Sequence, residues 1–113
     1  MLELSHGNTY HITYRVKNLD GTNKNLTGTQ KLVYKMARRV DSEPLIEFVL
    51  GVDDEISIID EEEGLVLLKL VNPILNTLRE GTHYHEFWHI NALGDPNTLM
   101  ENKVFIKQQL IKE

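Results

Sequence analysis

The 113-residue, 13.1 kDa chain is 41% hydrophobic and 26% charged, with no Cys and 12 basic against 17 acidic residues, for a formal net charge of −5. Length and composition fit a single domain, residues 1–113, large enough to build a hydrophobic core without staples. They exclude disulfides and thiolate metal sites, and the charge balance excludes a sequence-independent nucleic-acid binder, which needs a net basic face. The start, Met1 to His6, lacks the basic and apolar regions of a signal peptide. The longest apolar run, Leu65 to Leu68, is far too short to span a membrane.

Hydrophobic periodicity reads as strand nearly throughout. From Thr9 to Lys17, Tyr10, Ile12, Tyr14 and Val16 alternate with Thr9, His11, Thr13, Arg15 and Lys17, which predicts a half-buried strand with a solvated outer face. Asp20-Gly21 supplies turn chemistry. A second strand is expected over Thr29 to Arg39 with Leu32, Tyr34 and Met36 inward, after a bend at Gly28. Asp41 to Pro44 breaks the chain before a third strand, Leu45 to Leu50, with Ile46, Phe48 and Leu50 on one parity. Ile56 and Ile58 mark a short fourth strand. Leu65 to Val71 is the fifth and reads as central, because its apolar residues fall on both parities.

Asn72 to Gly81 departs from this alternation. Asn72 as a cap, Pro73 at the first helical position and Ile74, Leu75 and Leu78 at helical spacing predict one short helical turn near 73–80. A sixth strand follows over Thr82 to Ala92, then a turn at Gly94 to Asn97. The last strand is expected near Lys103 to Ile111 with Val104, Ile106 and Leu110 on one parity. About seven short strands with regular turn signals predict an all-β, antiparallel sandwich of immunoglobulin-like architecture.

Histidines supply the most enzyme-like pattern. His83, His85 and His89 share one parity of the sixth strand, and imidazoles on one face can ligate Zn²⁺. Residues i and i+6 on a strand stand about 20 Å apart, so His89 is out of reach and His83 and His85 need a third ligand, from His6, His11 or a carboxylate. The other parity, Tyr84, Trp88, Ile90 and Ala92, is more apolar and is taken as the core face, which puts the histidines in solvent and leaves Glu86 on the core side, where a carboxylate needs a partner. The acidic groups Asp53 to Glu55 and Asp60 to Glu63 lack the spacing of a Ca²⁺ loop and read as solvated turns. No nucleophile stands in an activating context. The expectation is therefore no catalytic residue, no cofactor and no metal, with His83 and His85 the candidates a metal would use.

Thr9 to Lys17, the Asp20-Gly21 turn, the Leu26-Thr27-Gly28 step, Lys31 to Met36, Ile56 to Asp60, Gly64 to Leu68 and Gly81-Thr-His-Tyr84 leading into a strand resemble, as an ordered set, the small immunoglobulin-like domains of tailed-phage virion proteins, such as the N-terminal domain of the baseplate upper protein family. The resemblance covers about residues 8 to 111. Members more often carry the aromatic two residues after the glycine, whereas Tyr84 is three after Gly81, which leaves the parity of this strand open.

The resemblance implies a non-enzymatic virion structural protein: an adaptor, connector or decoration domain on a tail, baseplate, neck or capsid. Its partners would be other virion proteins in a symmetric, homo-oligomeric setting, assembled in the host cytoplasm, with neither nucleic acid nor membrane involved. The first and last strands are candidates for strand addition onto a partner, and Met1 to His6 and Gln108 to Glu113 are candidate arms that order on assembly. A carbohydrate- or receptor-binding adhesion module is the alternative; a small His-ligated metal enzyme is a further one.

Overall fold

The computed structural model describes residues 2–108. Eight strands and one helical turn follow in the order β1 (Leu2–Ser5), β2 (Tyr10–Arg15), β3 (Lys31–Ala37), β4 (Ile46–Val49), β5 (Ile56–Asp60), β6 (Leu65–Leu70), α1 (Asn72–Leu75), β7 (Gly81–Ile90) and β8 (Pro96–Lys107). They form two sheets, β1-β8-β7-β3-β4 and β2-β6-β5, an immunoglobulin-like sandwich. All pairings are antiparallel except β1 with β8, which run parallel with Leu2 beside Val104.

Alternation explains most of the inner surface. Leu32, Tyr34 and Met36 of β3 and Ile46 and Phe48 of β4 are buried between the sheets, as their parity predicts, and on β6, where both parities read as apolar, Val66, Leu68 and Leu70 are the buried set. Each such burial contributes roughly 1.5–3 kcal/mol. On β2, Tyr10, Ile12 and Tyr14 point inward and His11, Thr13 and Arg15 outward. The central position expected for β6 is found, between β2 and β5, although its outer residues Leu65 and Leu67 are half-buried rather than covered.

Three boundaries differ from the sequence reading. Leu2 to Ser5, expected as an arm, is a strand: Leu4 is buried against the core and His6 N–H donates to the Lys107 carbonyl at 2.9 Å. Four residues are too few for periodicity to show. The last strand starts at Pro96, seven residues before the expected Lys103, because the turn closes earlier, with Asn91 Oδ1 accepting from Leu93 and Asp95 N–H. The α1 turn is four residues long; Val71 rather than Asn72 is its N-cap, and Asn72 N–H donates to Thr9 Oγ1 at 3.1 Å. Leu110 and the rest of the expected C-terminal arm beyond Gln108, like Met1, lie outside the described residues.

Of the two strands expected to offer free edges, β2 is an edge of the small sheet. β8 lies between β1 and β7, and is covered by β1 along Val104–Lys107 only. The remaining part begins with Pro96 and carries a bulge at Leu99, between the pairs Phe87–Met100 and Trp88–Thr98. Both are devices that discourage edge pairing. At the end of the sandwich near the 17–24 turn, Gly64 has φ +69°, and a Cβ there would sit 2.5 Å from the Lys24 carbonyl oxygen; only glycine lets the acidic turn close against β2, where Val16 N–H donates to the Gly64 carbonyl at 2.8 Å.

Candidate functional site

β7 supplies the functional candidates, and its parity is the reverse of that expected. His83, His85, Phe87 and His89 face the core, with the three histidines 0%, 3% and 1% exposed, while Tyr84, Glu86, Trp88 and Ile90 lie half-buried on the outer face of the large sheet. Register gives the reason. Cross-strand partners share a face, and β7 pairs His89 with Leu32, Phe87 with Tyr34 and His85 with Met36. The inward set of β3 is unambiguous, so β7 must turn its histidines in beside it. Glu86 is thereby relieved of the conflict that the opposite parity imposed: it lies beside Lys35, on the solvent side.

Of the buried histidines, His85 joins a cluster of rings. Tyr34 Oη and His85 Nδ1 are 2.9 Å apart and share a hydrogen bond, with the rings nearly perpendicular. Tyr14, reaching across from β2, meets Phe87 edge-on at 5.1 Å between centroids, and Tyr34 stacks on Phe48 at 6.1 Å. In antibody domains this place between the sheets holds a disulfide and a tryptophan. Here, without cysteine, edge-to-face aromatic contacts from both sheets occupy it. Burial pushes the His85 imidazole down to about 4, so it is neutral at physiological pH, and pushes the Tyr14 phenol up to about 12. The Tyr14 hydroxyl, His83 Nε2 and His89 Nδ1 are buried without a hydrogen-bond partner among the described residues.

The metal-ligand candidates do not converge. His6 Nε2 is 2.7 Å from the Leu78 carbonyl, His11 is exposed on the outer face of β2, and His85 Nδ1 is engaged by Tyr34. Among the described residues no group of three His, Asp or Glu side chains is placed to hold a metal ion. The acidic turns are occupied locally: Asp53 accepts from Val49 N–H at 2.8 Å, and Glu63 accepts from the Asn23 amide at 2.6 Å.

Two features escaped the sequence reading. The outer face of the large sheet carries Trp88 under the Lys31 ammonium at 5.9 Å and Tyr84 under Lys103 at 6.0 Å, cation–π contacts that hydropathy cannot register. At the end of the sandwich near α1, Arg38, Leu45, Thr77, Leu78, Arg79 and His83 line a pocket of about 370 Å³. Its members are up to 45 residues apart in the chain, and no local signal links them.

The two sheets and the ring-filled core define an immunoglobulin-like β-sandwich. No protein-family model matches the chain, and no curated protein matches it. Among solved structures, the N-terminal domain of phage TP901-1 ORF48 is similar, with a TM-score of 0.62 and 14% identity over 95% of this chain and 84% of that one. Murine CRIg aligns over 96% of this chain and 91% of its own, at 9% identity and a TM-score of 0.43, too low to support any argument. The likeness to phage domains expected from the sequence is thus met, at the level of fold, in a phage domain.

Proposed function

We propose that the chain is a phage virion structural protein, an immunoglobulin-like adaptor, connector or decoration domain that works by docking and catalyses nothing. The observation that carries this reading is the shared fold with the phage TP901-1 ORF48 domain over 95% of the chain, joined to the ordered sequence resemblance. The physical character of the molecule agrees with it. The interior is filled by rings rather than left as a cleft, and the titratable groups inside it are held neutral. The partners would be other virion proteins in a symmetric assembly, with copies of this chain repeated by the particle's rotational symmetry. Particles purified by density gradient from cells carrying the gene test the reading. The chain should band with the particles, and antibody should decorate one recurrent place on them; a chain that stays wholly in the soluble lysate fraction overturns it.

A second reading, carbohydrate or receptor adhesion, gains from the reversed parity of β7, which places Trp88 and Tyr84 on an outer face where aromatic rings can stack on a sugar. A glycan array separates the two. A specific hit that disappears in Trp88→Ala selects adhesion, and an array without hits retires it.

A further inference from the structure

The pocket near α1 combines features that the docking reading leaves unused. Arg38 follows the end of β3, Arg79 lies in the segment between α1 and β7, and His83 comes from β7, with Leu45, Leu78 and Thr77 completing the lining. Neither arginine makes an ion pair among the described residues, although acidic side chains outnumber basic ones by 17 to 12 in the chain as a whole. Arg38 is oriented by one hydrogen bond, from Nη1 to the Thr82 carbonyl at 3.2 Å. Among the described residues no carboxylate lines the pocket.

His83 is fully buried and its wiring is specific. Nδ1 lies 3.1 Å from the Gly81 carbonyl, an acceptor, so Nδ1 carries the proton in the neutral ring. Nε2 is then a bare lone pair, buried and without a partner among the described residues. A buried polar atom left unpaired is costly, and His83 shares its pocket with two arginines that make no ion pair among the described residues, which marks a place where a ligand restores the balance.

We propose that this pocket is an oxyanion-binding site, in which Arg38 and Arg79 hold a carboxylate or phosphate group against His83 Nε2. Guanidinium forks match the two oxygens of either group, and His83 adds a third contact once its ring is protonated. Without ligand, burial first, and then the Arg38 charge, keep the His83 ring below its ordinary value and neutral. An arriving anion offsets Arg38 and presents an acceptor to Nε2, so binding takes up one proton. The groups that bear on this proton are Arg38 from β3, Arg79 from the α1–β7 segment and the Gly81 carbonyl of β7. The site stands on its own chemistry and does not depend on the chain belonging to a virion.

Two probes distinguish the sources of such a group: inorganic phosphate, and N-acetyl-glutamic acid α-amide, whose single carboxylate mimics an acidic side chain. Each is titrated into the full-length protein and followed by backbone and imidazole NMR. Saturable shifts confined to Arg38, Thr77 to Arg79 and His83 are expected with at least one probe, and the stronger binder names the source. For the carboxylate probe, affinity should rise as pH falls from 8 to 6, with the His83 ring nitrogens reporting protonation. Arg38→Gln and Arg79→Gln, both at exposed positions that leave the core intact, should each weaken binding roughly tenfold. Absence of saturable shifts with either probe into the tens of millimolar, or shifts that survive in both variants, overturns the proposal.

Discussion

β2 and β7 contribute rings from opposite sheets to the same core, yet one announces its inner face and the other conceals it. On β2 every inward residue is apolar or aromatic and every outward one polar or charged, so alternation alone orients the strand. On β7 both parities carry rings: histidines and Phe87 on one, Tyr84 and Trp88 on the other. Hydropathy ranks histidine as polar and points to the wrong face. A neutral imidazole with a hydrogen-bond partner is a respectable core group, and the neighbouring strand, not the strand's own composition, decides which set goes in.

This contrast can be broken most forcefully at Phe87. Phe87→Ala should cost about 3–5 kcal/mol and leave the chain largely unfolded, whereas Trp88→Ala, one residue along on the outer face, should cost about 1–2 kcal/mol. Urea denaturation of the two variants checks it, and the opposite order would mean that β7 turns its other face inward.

Acid should expose the buried histidines next. Burial lowers the His85 pKa from the ordinary 6.5, taken as its unfolded value, to about 4 in the fold. Between these two values the unfolded chain binds a proton that the folded chain refuses. The stability linked to His85 is therefore complete above pH 6.5 and is lost as pH falls toward 4, by about 3 kcal/mol in all. His83 and His89 are shifted in the same direction by burial and steepen the loss. Denaturation midpoints from neutral pH down to about pH 4 should decline less in His85→Phe than in the parent; equal slopes would show that the imidazole stays accessible to protons.

A smaller effect probes the hydrogen bond itself. Tyr34→Phe keeps the ring but strands His85 Nδ1 in the core, which should cost about 1–2 kcal/mol and raise the imidazole resonance sensitivity to pH. The smallest effect belongs to β2. Thr13→Val, on its solvated face, should change stability by less than about 0.5 kcal/mol, and a larger loss by thermal melting would show that the outer face of β2 is covered.

The sandwich was legible in the chain: the alternation of β2, β3 and β4, the apolar run of β6, the turn residues between them and the helical break at Pro73 are local patterns, and local patterns specify strands, and their inner faces where one parity is clearly apolar. Tertiary structure alone decided what depends on neighbours far away in the chain. It made a strand of Leu2 to Ser5 by pairing it with Val104 to Lys107, turned His83, His85 and His89 inward through the register with Leu32 and Met36, joined Tyr34 to His85, and set Arg38 and Arg79 on one pocket, across gaps of about 40 to 50 residues. Those contacts are set by packing between strands, and no periodicity within one strand encodes which residues its partners will place beside it.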